Sequence, residues 1–247
     1  MQRLYINPRF SAFLIQSGLQ DFDAFIAKID DGELVAEDVG RTTHKIILGD
    51  NFFYLKCVRK SIIAPSVESL LSLRMPHHYC WREMQQVNAL HTHDINVMQV
   101  AAAGEASSWG VLNCSFLLAP EVHGTSMDEQ FGGAGREEQL ILLSKLGTLV
   151  GRLHSSGFYA PVRMKDVIVD PQGNFVLIDR ETRKPGARRV SRRKVLQGLV
   201  RTLRRQSRDG IDWDDEQLHT HLSAYLSEAP PLLKLSEPEL RQLVRAG

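Results

Sequence analysis

The apolar positions of this chain alternate between helical and strand periods along its length. Phe10, Phe13, Leu14, Phe22, Phe25 and Ile26 recur as one apolar face, so the first 32 residues read as an amphipathic lead-in. From Glu33 the pattern shortens to strands. Leu34-Val35-Ala36 runs to a turn at Gly40, and two β-rich runs, Thr42 to Leu48 and Phe52 to Val58, flank Gly49-Asp50-Asn51. Two such runs around a Gly-Asp-Asn turn predict a hairpin. Trp81, Met84, Val87 and Leu90 recur at three- and four-residue spacings and predict a helix over 79–91. Val97 to Ala103 and Val111 to Leu118 read as two further strands. Residues 119–136 carry Pro120, Gly124 and a Gly132-Gly133-Ala134-Gly135 cluster and read as a loop. A long periodic helix follows over about 137–154. Val167 to Val169 and Phe175 to Ile178 then bracket Pro171-Gln172-Gly173-Asn174 as a tight hairpin, and the remainder reads as charged helix. The shift near residue 120 divides the chain into a lead-in (1–32), a mostly sheet region (33–120) and a mainly helical region (121–247).

Composition narrows the classes. A chain of 247 residues with 43% hydrophobic and 24% charged residues is ordinary for a folded globular protein, which excludes disorder over most of its length. Three scattered cysteines, Cys57, Cys80 and Cys114, make neither a disulfide framework nor a zinc ribbon and fit a reducing compartment. No apolar run reaches a membrane span, and Asn7 and Pro8 interrupt anything resembling a secretory signal. His77-His78 and His91-Thr92-His93 lie at helix margins or in loops rather than with carboxylates or thiols at the helical or hairpin spacing usual for metal sites, and the glycine cluster lacks the strand and the Lys-Ser or Lys-Thr pair of a P-loop.

Net charge is only +1, but its distribution is uneven. Eleven Lys or Arg and no Asp or Glu lie between Arg183 and Arg208, over a third of the chain's 30 cations. A solvated helix face explains such a run in part. A surface for phosphates explains it more sharply: anionic lipid or a phosphorylated glycan. Nucleic acid is not expected, because the run has no aromatic side chains on which bases would stack.

The residues that carry chemistry form an ordered set. Lys56 ends the strand Phe52-Phe53-Tyr54-Leu55, Glu83 lies on the following helix, Asp166 opens a strand and Asp179 closes its hairpin partner. A strand Lys paired with a helix Glu is how kinase-like folds hold nucleotide phosphates. Acidic side chains at strand ends can hold Mg²⁺, which takes hard oxygen ligands. Each residue alone has a plainer reading: an edge lysine, a solvated glutamate, a turn-forming aspartate.

In order, these segments resemble a family. Phe53-Tyr54-Leu55-Lys56 is similar to the Lys strand of protein kinase-like proteins. Leu70 to Pro76, Trp81-Arg82-Glu83-Met84 and Ser115 to Leu118 resemble the lipopolysaccharide core kinases, which phosphorylate heptose or Kdo sugars and include the toluene-tolerance proteins. Leu153-His154-Ser155-Ser156-Gly157 resembles the approach to the catalytic loop. Asp166 to Gly173 resembles the metal-binding strand and turn, and Val176-Leu177-Ile178-Asp179-Arg180 stands at the D-F-G segment. The resemblance covers roughly residues 33–185.

It implies a two-lobed α+β fold of protein kinase type, with a small antiparallel-sheet lobe and a mainly helical large lobe. It also implies an ATP- and Mg²⁺-dependent phosphotransferase acting on a sugar of the lipopolysaccharide inner core or another phosphorylated glycan. The expected location is cytoplasmic, with peripheral contact to anionic membrane at the inner face of the inner membrane. Lys56, Glu83 and Asp166 are then catalytic, Asp166 and Asp179 bind metal, and Lys56, Gly40, Arg41, Glu121 and Val122 bind nucleotide. Its departures support an alternative. Five residues before Asp166, where the family's base is expected, stands Pro161 between Ala160 and Val162; Gly40 is alone before Arg41; and Arg180 replaces the Phe of D-F-G. A chain with these losses is also what a pseudokinase looks like, a catalytically weak or inactive module that binds nucleotide or a partner. A kinase for a protein or a small hydroxylated compound shares the fold but not the use of the basic run.

Overall fold

The hairpin signal at Gly49 sits at the centre of a larger sheet in the computed structural model, which describes residues 1–59, 77–108 and 111–246. The strands are β1 (Gln2–Ile6), β2 (Glu33–Asp38), β3 (Arg41–Leu48), β4 (Asn51–Val58), β5 (Ala102–Ser108) and β6 (Val111–Pro120). They lie in the order β1-β5-β6-β4-β3-β2, and every neighbouring pair is antiparallel. Leu48 pairs with Asn51, so the β3–β4 turn is Gly49-Asp50, with Gly49 at φ 57°. Two-residue hairpin turns need such a positive φ, which glycine adopts without steric cost.

This sheet belongs to one of two compact units, made of Met1–His91, Val97–Val122 and Asp179–Pro185. The first 32 residues are part of it. They supply the edge strand β1 and two short helices, α1 (Ser11–Gln16) and α2 (Phe22–Ala27). Leu14, Phe22 and Phe25 are buried against Phe53, Leu55, Phe116 and Leu118 from the sheet. Burying such a side chain stabilises by roughly 1.5–3 kcal/mol.

Helix α3 (Tyr79–His91) has the predicted bounds and packs on β4, β5 and β6. One expected strand is corrected. Val97–Ala103 is buried at most positions, but the strand begins at Ala102. A buried apolar run does not by itself specify strand, whereas Ala102–Ser108, small and polar, carries little β signal. Gly104 within it leaves no room for a Cβ beside the rings of Phe116 and Phe22.

The second unit comprises Thr92–Asn96, His123–Ile178 and Gly186–Gly247. It holds β7 (Thr125–Ser126), α4 (Met127–Gly133), α5 (Arg136–Ser155), β8 (Val167–Val169), β9 (Phe175–Leu177), α6 (Arg192–Arg208), α7 (Asp215–Glu228) and α8 (Glu237–Ala246). The stretch read as a loop over 119–136 thus contains the end of β6, a short strand and the helix α4. At seven residues, with two of its glycines inside, α4 is too short and too glycine-rich to show a period.

The predicted hairpin forms between β8 and β9. The Asp170 carboxylate accepts the backbone N–H groups of Gln172 and Asn174 across its turn, at 2.9 and 2.7 Å. Helices α5 and α7 approach closely because Gly147 faces the backbone of His221 and Gly151 that of Tyr225. Two histidines are sealed between them. His154 Nδ1 shares a hydrogen bond of 2.9 Å with the Tyr225 hydroxyl, and His221 donates to the Leu143 carbonyl at 3.3 Å. Burial lowers His154 to about 3 and His221 to about 4.

Candidate functional site

Strand alternation sets the site in the first unit. Phe53, Leu55 and Cys57 point into the core under α1 and α2. Lys56, paired with Thr43 on one side and Leu117 on the other, points to the opposite face, where α3 packs. There Lys56 Nζ donates to both oxygens of Glu83, at 3.0 and 2.8 Å, and to Asp179 Oδ1 at 2.8 Å. The strand lysine and the helix glutamate therefore meet as the sequence predicts. Asp179 joins them, although 123 residues separate it from Lys56.

The three groups differ in their surroundings. The Glu83 side chain is 1% exposed, that of Lys56 26% and that of Asp179 59%. Burial acts against the Lys56 cation, but Glu83 and Asp179 outweigh it and raise its pKa, so Lys56 is charged. Burial raises the Glu83 carboxyl against the pull of Lys56. Lys56 holds the Asp179 carboxyl below the usual carboxylate range. The charge that governs Asp179 is therefore a cation rather than another carboxylate. Asp179 also has φ 50°, a left-handed backbone that a non-glycine residue holds only when its surroundings fix it.

A second ion cluster adjoins the first. Gly40 turns the chain from β2 to β3 with φ 73°. The next residue, Arg41, expected at nucleotide phosphates, donates to Glu181 Oε2 at 2.8 Å and lies 4.0 Å above the Tyr79 ring. Arg82 reaches Glu181 Oε1 at 3.6 Å and the same ring at 4.8 Å. The segment Asp179-Arg180-Glu181 is thus held to β3, β4 and α3 by carboxylates two residues apart. Tyr79 and Glu181 carry no motif of their own, and Arg82 stands out only as part of Trp81-Arg82-Glu83-Met84. Their only sequence signal is proximity to Glu83 and Asp179. Arg180, in the place of the D-F-G Phe, is 2% exposed.

Glu121, expected near a nucleotide base, instead has its carboxylate on the sheet. It accepts from Lys45 Nζ at 2.8 Å and from the Tyr54 hydroxyl at 3.3 Å. Its backbone N–H donates to the Phe52 carbonyl, and Val122 follows, half-buried. Cys57 lies in the core, its Sγ 3.9 Å from that of Cys114. His77 meets Glu105 at 2.9 Å, and His78 bonds Ser115. The Leu70–Pro76 part of the resemblance lies outside the described residues.

Asp166 belongs to the second unit. It ends a short 3-10 turn, Met164–Asp166, that leads into β8, and its carbonyl accepts the Ile178 N–H at 2.9 Å. The preceding segment is pinned to α6. Thr202 Oγ1 accepts the Val162 N–H at 3.3 Å, while Gln206 accepts the Met164 N–H at 3.2 Å and donates to the Val162 carbonyl at 2.9 Å. Arg163 and Lys165 both engage Asp209. These anchors were not legible in the sequence, where Thr202 and Gln206 sit inside the basic run. Pro161, at the expected base position, offers no proton acceptor on its side chain.

Among the described residues no three His, Cys, Asp or Glu side chains form a metal cluster. Asp179 in the first unit and Asp166 in the second each carry a carboxylate, a hard oxygen donor of the kind Mg²⁺ takes.

A six-stranded antiparallel sheet carrying a helix, with a Lys–Glu pair across them and a helical second unit, defines a kinase-like α+β fold. Residues 27–225 match the model of the lipopolysaccharide kinase (Kdo/WaaP) family, and the chain belongs to that family. Its fold is similar to that of a structure described as WaaP in complex with acyl carrier protein. That likeness has TM-score 0.69 and 19% identity, over 99% of this chain and 97% of that one. A WbdD structure with a kinase inhibitor gives TM-score 0.45 and 14% identity, over 86% of this chain and 45% of that one. No curated sequence matches the chain.

Proposed function

We propose that this chain is an ATP-dependent phosphotransferase acting on a sugar of the lipopolysaccharide inner core. The observation that carries this reading is the Lys56–Glu83–Asp179 cluster, a strand cation held by a buried helix carboxylate and a segment carboxylate in a member of a lipopolysaccharide kinase family. Glu83 aims the ammonium, and the charged Lys56 holds nucleotide phosphate oxygens. Gly40 and Arg41 contribute at the phosphate loop, where a phosphate competes with Glu181 for the guanidinium. The backbone of Glu121 and Val122 meets the base. Asp179 and Asp166 hold Mg²⁺, which neutralises charge on the phosphates. The acceptor is a sugar hydroxyl, placing the chain in the cytoplasm beside the membrane that carries its substrate.

A second reading, a catalytically weak or inactive module that binds nucleotide or a partner, is favoured by one observation: Pro161 and its neighbours Ala160 and Val162 supply no general base. Such a base contributes typically ~10²–10⁴-fold, so its loss slows transfer without removing the positioning on which phosphoryl transfer chiefly depends.

Melting temperature tests the nucleotide site. A ligand at about 100 times its Kd stabilises by about 2.7 kcal/mol. For a chain of this size that is roughly 5–10 °C. Mg²⁺ with ATP is expected to give a larger rise than ATP alone, and Asp179→Asn to lose that Mg²⁺ increment. An undiminished increment in the variant would place the metal elsewhere.

A further inference from the structure

Helix α6 resolves the basic run into two faces. Its buried side carries Val195, Gly198, Leu199, Thr202 and Gln206. These are the residues that pack the second unit and hold the segment before Asp166. At 100° per residue, Arg193, Lys194, Arg201, Arg204, Arg205 and Arg208 fall within an arc of about 120° on the opposite side. All six are exposed. The one other residue on that arc is Gln197, whose carbonyl accepts from Arg201 at 3.0 Å.

Among the described residues no carboxylate neutralises this face. No Asp or Glu lies between Arg183 and Arg208. The first carboxylate after the helix, Asp209, is taken by Arg163 and Lys165 from the far side of the segment it anchors. Among the described residues, none of the six cations forms an ion pair. The stripe runs along a straight helix for roughly 22 Å at 1.5 Å per residue.

We infer that the outer face of α6 docks the chain electrostatically on an anionic lipid bilayer. The inference rests on charge placement within the second unit and stands whether or not the chain transfers phosphate. The chemistry of the face selects this occupant. Arginine is itself common in protein contacts, but a specific protein contact is built round a desolvated core, and the arc has no aromatic, Met or aliphatic side chain to form one. Single-stranded nucleic acid would want stacking side chains, also absent. A plane of anionic headgroups needs only a row of cations held at one height, each worth about 1 kcal/mol, or roughly fivefold in partitioning. With no apolar side chain on the arc to insert, binding is reversible and fails as salt screens it.

The test is sedimentation of the full chain with vesicles of phosphatidylcholine alone or with phosphatidylglycerol added. Binding is expected only to the phosphatidylglycerol vesicles at low salt and to disappear at high salt. Reversing Arg201, Arg204, Arg205 and Arg208 to Glu should cut partitioning at least ~100-fold, with the melting temperature checked in parallel. Should the reversed chain fail to fold, Arg193→Gln with Lys194→Gln at the start of the helix is expected to cut it by about 25-fold. Vesicle binding that survives either set of changes, or persists at high salt, overturns the inference. So does tighter binding of this face to duplex DNA than to vesicles at the same salt.

Discussion

Lys56→Met is expected to abolish the nucleotide-induced rise in melting temperature and, separately, to lower the stability of the ligand-free chain. The first effect follows from the proposed role of the ammonium at the phosphates. The second follows from what the substitution leaves behind. Glu83 is 1% exposed, and Lys56 engages both of its oxygens. Removing one partner of such a pair strands a buried charge and costs about 3–5 kcal/mol.

The chain can escape part of that cost by protonating Glu83, whose pKa is raised even with Lys56 present. The sign follows. A carboxyl whose folded pKa lies above its unfolded value contributes stability at low pH and loses it as pH rises through the folded pKa. Lys56→Met should therefore be most destabilised near neutral pH and recover relative to wild type in mild acid. Glu83→Gln in the same chain should restore stability at neutral pH without restoring the nucleotide response. A full nucleotide shift in Lys56→Met would remove Lys56 from the phosphate site.

The second large effect is a loss of stability in mild acid set by the sealed histidines of the second unit. His154 and His221 are lowered by burial to about 3 and about 4, while unfolded histidine titrates near ~6.5. Between those values the unfolded chain binds more protons, so stability present at neutral pH is lost as pH falls. Each histidine contributes about 1.4 kcal/mol per pH unit, so the pair removes about 4 kcal/mol between pH 6 and 4.5. Asp179, lowered by Lys56, adds its own loss only below about pH 4, where an unfolded Asp protonates. Urea unfolding across this range should show the slope, and His154→Gln and His221→Gln should each remove about half of it. A flat profile from pH 6 to 4.5 would mean that these rings take up protons in the folded chain.

Much of this architecture was legible because its signals are local. Gly49-Asp50 between two β-rich runs fixes the β3–β4 turn, and the periodicity of Trp81, Met84, Val87 and Leu90 fixes α3. β1 was hidden because five residues at a sheet edge show little alternation. Ala102–Ser108 was hidden because a strand of Ala, Gly, Glu and Ser is held by its neighbours rather than by its own propensity.

The candidate site divides the same way. Lys56 and Glu83 could be paired from their order on a strand and the next helix. Asp179 stood out as a candidate at the end of its hairpin strand, but its bond to Lys56 spans 123 residues and follows only from the tertiary fold. The ties of Arg41 and Arg82 to Glu181, and of Thr202 and Gln206 to the segment before Asp166, join residues with no shared motif. No spacing rule reaches them.

Phosphoryl transfer to sugar is tested most directly by following the γ-phosphate of labelled ATP, with Mg²⁺, into heptose- or Kdo-containing core oligosaccharide. Label covalently bound to the sugar is expected, formed slowly for want of a base at Pro161 and lost in Lys56→Met. Nucleotide binding by the wild-type chain with no label on the sugar at saturating Mg²⁺ and ATP would contradict it and leave an inactive binding module.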